Sequence, residues 1–489
     1  MMQIKKYKKE IIIFFVVLIV SLIMCSAFLK PHYTHDTYRI IYDGYEYYSY
    51  DKFLKEARPF TALLTLMADR INLTIENYMI LSLILALIFL SLSVVLIYRM
   101  FIKQYNSISR LKEIIVLLIS YIVIFNYLAI EHIYFLECCV LALGILLSII
   151  AAKFVINNEK YKYVKAFLLI IIAVFCYQGS IAIFPMLVFT YRFLFQNNGM
   201  KENFKDIIKV ILIYGISMLL TIIFAEFIMG GSRIQINANP FDISKIRYWL
   251  YELIVNSLGV ILPYFNLGLV LITILFILIF KRTTMKEKII YTLKYLLVIL
   301  SAIVICMSPI LVGSGLELTP RMCIAYGCTI GISLFVILYI VDRNNNKYQN
   351  IFIYVITIII FILNFSLYII LTNQHLLVNK LDRENCEKIK EIINKYEEEN
   401  NIEVTKIAGI RRLDGNIYYP GFIQAGAITQ KALNSWALRE TIAFYVGKHL
   451  EYAPITSEQY QEFFEGKTWE DFSEEQVVIK DGVLYFCGN

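Results

Sequence analysis

Asp36 is the carboxylate in this sequence with the clearest opportunity for chemistry. It lies in Pro31-His32-Tyr33-Thr34-His35-Asp36-Thr37-Tyr38-Arg39, seven residues beyond an apolar run that ends at Leu29. A carboxylate there stands at a membrane surface. It could act as general base on a hydroxyl arriving from water while a bound lipid lies alongside. Arg39 follows at a spacing that shares a helical face with Asp36 if the stretch is helical. Arg58 precedes Pro59, which suits the first turn of a returning helix. Arg321 beside Pro320 repeats that theme. A guanidinium fork matches phosphate oxygens, so Arg39, Arg58 and Arg321 are candidate phosphate clamps. The same pattern also fits a helix-capping Asp and arginines that snorkel to headgroups.

Further polar residues fall at the ends of apolar runs. Glu131-His132 form a turn, and Glu131 could bind a sugar hydroxyl or assist proton transfer; a carboxylate at an aqueous helix end is the plainer alternative. Glu137 lies deeper, where an ionisable group is costly and is a functional candidate by default. Tyr177-Gln178 mark the tip of a short hairpin, where Gln178 could donate to a sugar or a phosphate or simply make the turn. Tyr42, Tyr45, Tyr47, Tyr48 and Tyr50 could stack on sugar rings, but they also make an interfacial aromatic belt, which is the favoured reading. The five histidines are scattered with no zinc spacing. No metal and no cofactor are expected.

The elements that must position these residues are membrane spans. The chain has 489 residues, 59% hydrophobic and only 17% charged, which excludes an ordinary soluble protein, a disordered chain and a coiled coil. Apolar runs at 11–29, 76–98, 113–130, 132–152, 164–177, 179–195, 207–228, 262–280, 293–312, 322–341 and 350–371 predict a polytopic α-helical membrane protein with about eleven transmembrane helices. Lys5, Lys6, Lys8 and Lys9 precede the first run, and no small-residue cleavage site follows it, so a retained span is expected. With the N-terminus inside, the inner loops carry 23 Lys+Arg and the outer loops ten, which supports a cytoplasmic N-terminus. The first loop (30–75) and the C-terminal part then lie outside.

Residues 1–375 form the predicted transmembrane domain, and 376–489 a small extracytoplasmic α/β domain. The second part holds 13 Lys+Arg and 19 Asp+Glu, a charge of −6 that leaves +13 for the rest of the +7 chain. That division argues against nucleic-acid binding and for charge-sorted topology. Helical spacing over 381–399, alternation over 403–410, an amphipathic stretch over 436–450 and two short strands around Asp481-Gly482 set its fold class. Its expected place is over the outer face, as a cap or an acceptor contact. Cys386 and Cys487, two of nine cysteines, could pair.

These features together resemble the GtrII-type membrane glucosyltransferases of the wider GT-C class. The likeness rests on the basic N-terminus, the Asp-x-x-Arg element at Asp36 and Arg39, and an Arg-Pro at the head of a returning helix. The Tyr177-Gln178 hairpin and Pro320-Arg321 complete it. The family pattern has two acidic residues where this chain has His35-Asp36, and Gly-Arg-Pro where it has Ala57-Arg58-Pro59. The resemblance implies a GT-C-like fold and a polyprenyl-phosphate-linked sugar, glucose or another hexose, as donor. It implies metal-independent, inverting transfer to a cell-surface glycan on the outer face, from within the lipid bilayer. Asp36 would be the base, Arg39, Arg58 and Arg321 the donor-phosphate clamps, and Glu131, Tyr177 and Gln178 the sugar or acceptor contacts. A transporter, a flippase or a polymerase of polysaccharide precursors is the alternative. It would differ by showing a polar path continuing inward, whereas a transferase would gather Asp36, Arg58, Tyr177 and Arg321 around one outward cavity.

Overall fold

A computed structural model describes residues 2–105, 109–196, 200–230, 235–236, 242–314, 318–412 and 416–488. Part of the glycine-containing stretch ahead of Arg321 (315–317) thus lies outside the described residues. The chain is mostly helical. Among the described residues, seven helices are long and apolar enough to cross a membrane: Ile75–Gln104, Cys138–Ile156, Gln178–Phe195, Glu202–Ile228, Met285–Pro309, Pro320–Asn344 and Lys347–Asn400. Three of the other apolar runs make helices of 15 or 16 residues, Arg110–Ile124, Lys162–Cys176 and Phe265–Phe280. Those are shorter than the roughly 20 residues a perpendicular span needs.

Helix Ile324–Asn344 is the axis of the bundle, with every residue from Ile324 to Val341 buried. Its two glycines admit the helix Arg110–Ile124 and the turn after it. A Cβ on Gly327 would stand 1.9 Å from Asn126 Oδ1, and one on Gly331 would stand 2.3 Å from Val123 Cγ2. Asn126 cannot step aside, because its side chain accepts from Leu128 N at 3.1 Å and donates to Val123 O at 3.0 Å. Gly327→Ala is therefore expected to cost about 1–3 kcal/mol of stability, as overpacking typically does. A lowered thermal midpoint of the detergent-purified protein checks this, and an unchanged midpoint contradicts it.

Helix Lys347–Asn400 runs unbroken for 54 residues, roughly 80 Å. Its first part lies in the apolar bundle. Its last turns present Cys386, Ile389 and Ile393 to a second core with Ile407, Leu438, Ile442, Leu484 and Phe486. Here the chain builds a four-stranded sheet in the order Glu451–Tyr452, Lys406–Ile410, Val483–Cys487, Val477–Lys480. Lys406–Ile410 is parallel to both of its neighbours, and the last two strands form a hairpin. Asp481 and Gly482 at its tip both have positive φ, as a two-residue turn of this kind requires. No disulfide joins any of the nine cysteines, Cys386 and Cys487 included.

The first loop packs between bundle and tail. Ile40, Tyr48, Phe53, Ala62, Tyr78 and Leu136 form its own small core. The Asn379 side chain on the long helix accepts from Tyr33 N at 2.8 Å and donates to Tyr33 O at 2.9 Å. Tyr38 and Tyr445 share a hydroxyl–hydroxyl hydrogen bond of 2.9 Å. The loop that carries Asp36 is thereby fixed from both sides.

Candidate functional site

Thr34 starts the helix His35–Asp43 with a capping box. Its hydroxyl accepts from Thr37 N at 3.1 Å, and its own N–H donates to the Thr37 hydroxyl at 3.2 Å. That cap places Asp36 in the first turn, facing inward with 6% of its surface exposed. Oδ1 accepts from the Tyr48 hydroxyl at 2.6 Å and from the Lys52 ammonium, while Oδ2 makes no hydrogen bond among the described residues. Burial alone would raise the Asp36 pKa, but Lys52, Tyr48 and Arg321 outweigh it and hold the carboxyl well below the usual carboxylate range. Asp36 is therefore ionised at neutral pH with one oxygen open. Its neighbour His35 is pushed down to about 4 by burial and is neutral.

Arg58 enters from a turn held by strain and by a side chain. Ala57 adopts φ +57°, a conformation glycine takes without cost. Gln178 donates its amide to Glu56 O at 2.8 Å and so fastens this turn. Pro59 then opens the helix Pro59–Arg70. The Arg58 guanidinium lies 3.2 Å from Glu56 and 3.8 Å from Glu137, with its centre 4.9 Å from the Tyr177 ring. Its Nε is buried without a hydrogen-bond partner.

Arg321 opposes it. Glu131, with no exposed surface, accepts from Arg321 N at 3.3 Å and from Arg321 Nη1 at 3.4 Å through Oε2. Its Oε1 accepts from Ala427 N at 3.3 Å. Arg321 Nε donates to the Tyr177 hydroxyl at 3.0 Å, and the guanidinium lies over the Phe135 ring at 4.4 Å. Gly426 is required where the tail crosses this pair. It has φ +57°, and a Cβ there would stand 2.6 Å from Glu131 Oε1.

Two adjoining cavities meet at these side chains. The smaller, of about 70 Å³, is lined by Asp36, Lys52, Glu137, Arg58, Tyr177 and Arg321, among others. The larger, of about 520 Å³, shares Arg58, Tyr177 and Arg321 and extends past Glu131 and Gln178 to an apolar side at Met218, Ile222 and Trp249. Four stretches of sequence thus converge: Asp36, Arg58, Tyr177 and Arg321 line one chamber. Arg39 does not join them. It pairs with Asp43 at 2.5 Å and lies 3.6 Å from Glu440, turned toward the tail.

The tyrosine-rich stretch divides. Tyr48 is buried on Asp36, Tyr42 stacks on His449 at 4.5 Å and Tyr45 donates to Leu73 O at 3.0 Å, while Tyr47 and Tyr50 are about half exposed. Lys52, from the irregular turn Ser49–Leu54, carries no signal in spacing; Tyr48 ends the short helix Tyr45–Tyr48, and Trp436 comes from the tail, where no site residue was expected. Trp436 lines both cavities, 5.1 Å from the Lys52 ammonium and 6.2 Å from the His35 ring.

The arrangement offers an ionised carboxylate and two oriented guanidiniums around a chamber with one apolar side. That combination suits attack by a hydroxyl and departure of an anionic group. No curated protein matches the chain. The family model for glucosyl transferase GtrII matches residues 25–328, which is more than half of the sequence and includes Asp36, Arg58, Glu131, Tyr177 and Arg321. With its apolar spanning helices and this match, the chain is a membrane glycosyltransferase and belongs to the GtrII glucosyl transferase family.

Proposed function

We propose that this protein moves glucose from a polyprenyl-phosphate carrier to a cell-surface glycan on the outer face of the membrane. The observation that carries the reading is the convergence of Asp36, Arg58, Tyr177 and Arg321 on one chamber. Asp36 Oδ2 takes the proton from the acceptor hydroxyl as that oxygen attacks the anomeric carbon. The bond to the carrier phosphate breaks on the opposite side, so the anomeric configuration inverts. Charge grows on the departing phosphate, and Arg58 and Arg321 stabilise it from fixed positions. Glu131 and Tyr177 hold Arg321 in place, and Gln178 holds the turn of Arg58. Arg39 serves the first loop's contact with the tail, and reaches a donor phosphate only if its pair with Asp43 opens.

A lipid-linked donor explains the apolar side of the larger cavity. Met218, Ile222 and Trp249 would lie along the polyprenyl chain, which reaches the site sideways from the bilayer. The topology that goes with this reading has about eleven spans, the shorter helices included. The N-terminus is cytoplasmic, and residues 376–489 form an extracytoplasmic domain, although the long helix continues across position 375.

Mass spectrometry of surface glycans tests the function in the cell. A strain deleted for this gene is expected to lose one hexose per modified repeat, and the wild-type gene should restore it. A glycan unchanged by deletion would contradict the reading.

A further inference from the structure

The family match ends at residue 328, yet one wall of the catalytic chamber comes from residues beyond 410. This wall is built in. Tyr134 donates its hydroxyl to Ala427 O at 2.9 Å, and His375 Nδ1 lies 2.8 Å from Ile428 O. Asp382 accepts from the Tyr419 hydroxyl at 2.9 Å and from Ala432 N at 3.0 Å. The segment is thus tied to the bundle and to the long helix at several points before it reaches Trp436.

Trp436 breaks the pattern of its surroundings. Residues 431–435 and 437–438 are all buried, whereas Trp436 is 46% exposed. Its backbone has no freedom to explain this, since Ser435 Oγ donates to Ala432 O at 2.8 Å and accepts from Ala437 N at 3.0 Å. The helix Leu438–Val446 that follows packs on the helix carrying Asp36, as the Tyr38–Tyr445 contact shows. A large aromatic ring held this rigidly and this open, with the His35 ring at 6.2 Å and the Lys52 ammonium at 5.1 Å, is not a core residue.

We propose that Trp436 is the stacking platform for the acceptor's sugar ring, so that the C-terminal tail selects the acceptor while residues 25–328 carry the transfer chemistry. This rests on the transfer reading above and adds the acceptor subsite to it. A pyranose ring has an apolar C–H face and polar edges, and a tryptophan ring offers the matching apolar face. The place fits the acceptor. Trp436 lines the small cavity with Asp36 and lies 5.1 Å from the Lys52 ammonium that holds Asp36 and 6.2 Å from the neighbouring His35 ring. An acceptor hydroxyl must come within hydrogen-bond reach of that base. Gln430, which also lines the chamber, is a polar neighbour for the same ring.

The test uses the full-length protein in proteoliposomes, with polyprenyl-phosphate glucose as donor. The acceptor probe is surface polysaccharide purified from the deletion strain, whose acceptor positions are unfilled. Trp436→Ala is expected to raise the acceptor KM about tenfold, the scale of one lost aromatic contact, with the donor KM moving less than twofold. Trp436→Phe should recover most of the acceptor KM. Thermal midpoints of both variants separate misfolding from lost binding, and Trp436→Phe keeps the test open if Trp436→Ala does not fold. Transfer by the wild type with an acceptor KM that neither variant moves, or with acceptor and donor KM moving together, overturns the acceptor platform alone. No transfer by the wild type from this donor overturns the function on which it rests.

Discussion

Asp36→Asn is expected to lower kcat about 10²–10⁴-fold, the usual contribution of a positioned general base. Asparagine keeps the shape and can still accept from Tyr48, but it cannot take a proton. The donor is already bound before the proton moves, so its KM should change little. A fall in kcat matched by an equal fall in kcat/KM is the signature of an interaction made only in the transition state. Lys52 loses its partner in this variant, which makes a stability control necessary. A variant that melts like the wild type and transfers glucose at full rate would remove Asp36 from the base role.

Arg321→Ala is the second large effect, and it separates chemistry from folding. Loss of one fixed donor to a developing negative charge costs about 10²–10³-fold in kcat. The same change strands Glu131, which is fully buried and whose charged partner is Arg321. Removing one partner of a buried ion pair costs about 3–5 kcal/mol, because the remaining charge stays buried. The double variant Arg321→Ala, Glu131→Gln should therefore melt closer to the wild type than Arg321→Ala does, yet remain as inactive. Glu131 works through Arg321, so Glu131→Gln should add little once Arg321 is gone. Recovery of activity together with stability would show that Arg321 only holds the fold.

The residues that could be read in advance sit where an apolar run stops. Asp36, Tyr177 and Arg321 each follow or precede a span, where hydropathy alone places them at one face, and Arg58 was marked by the proline that opens the helix Pro59–Arg70. Their company was not legible. Lys52 reaches Asp36 from an irregular turn, Ser49–Leu54, that carries no period, and Tyr48 from the end of the four-residue helix before it. The segment 417–436 has neither helical nor strand spacing, and its contacts with Tyr134 and Glu131 span 293 and 296 residues of chain. Arg39 illustrates the limit of spacing. The stretch is helical, as a face shared with Asp36 requires, but Asp43 at i+4 and Glu440 from the tail supply Arg39 with nearer partners than the chamber.

Helix lengths failed for a related reason. The run 113–130 is mostly apolar, yet its helix ends at Ile124, and the following turn is fixed by Asn126 against Gly327. Hydropathy reports that residues are dry, and a buried turn is as dry as a span. The boundary at 375/376 was drawn on composition. Between Lys347 and Asn400 there is no Gly or Pro, so the helix passes from apolar to charged residues without a break. The strands over 477–480 and 483–487 were visible because β-branched and aromatic residues gather there around a turn pair at Asp481-Gly482, and 406–410 because its apolar residues are spaced among small and charged ones.

The most direct measurement is a donor comparison with the purified protein in lipid vesicles, using radiolabelled glucose on either a polyprenyl phosphate or a nucleotide diphosphate. The account predicts label transfer to the deletion-strain polysaccharide from the lipid-linked donor only, with release of polyprenyl phosphate. Transfer from the nucleotide donor without the lipid, or no transfer from polyprenyl-phosphate glucose, would contradict it.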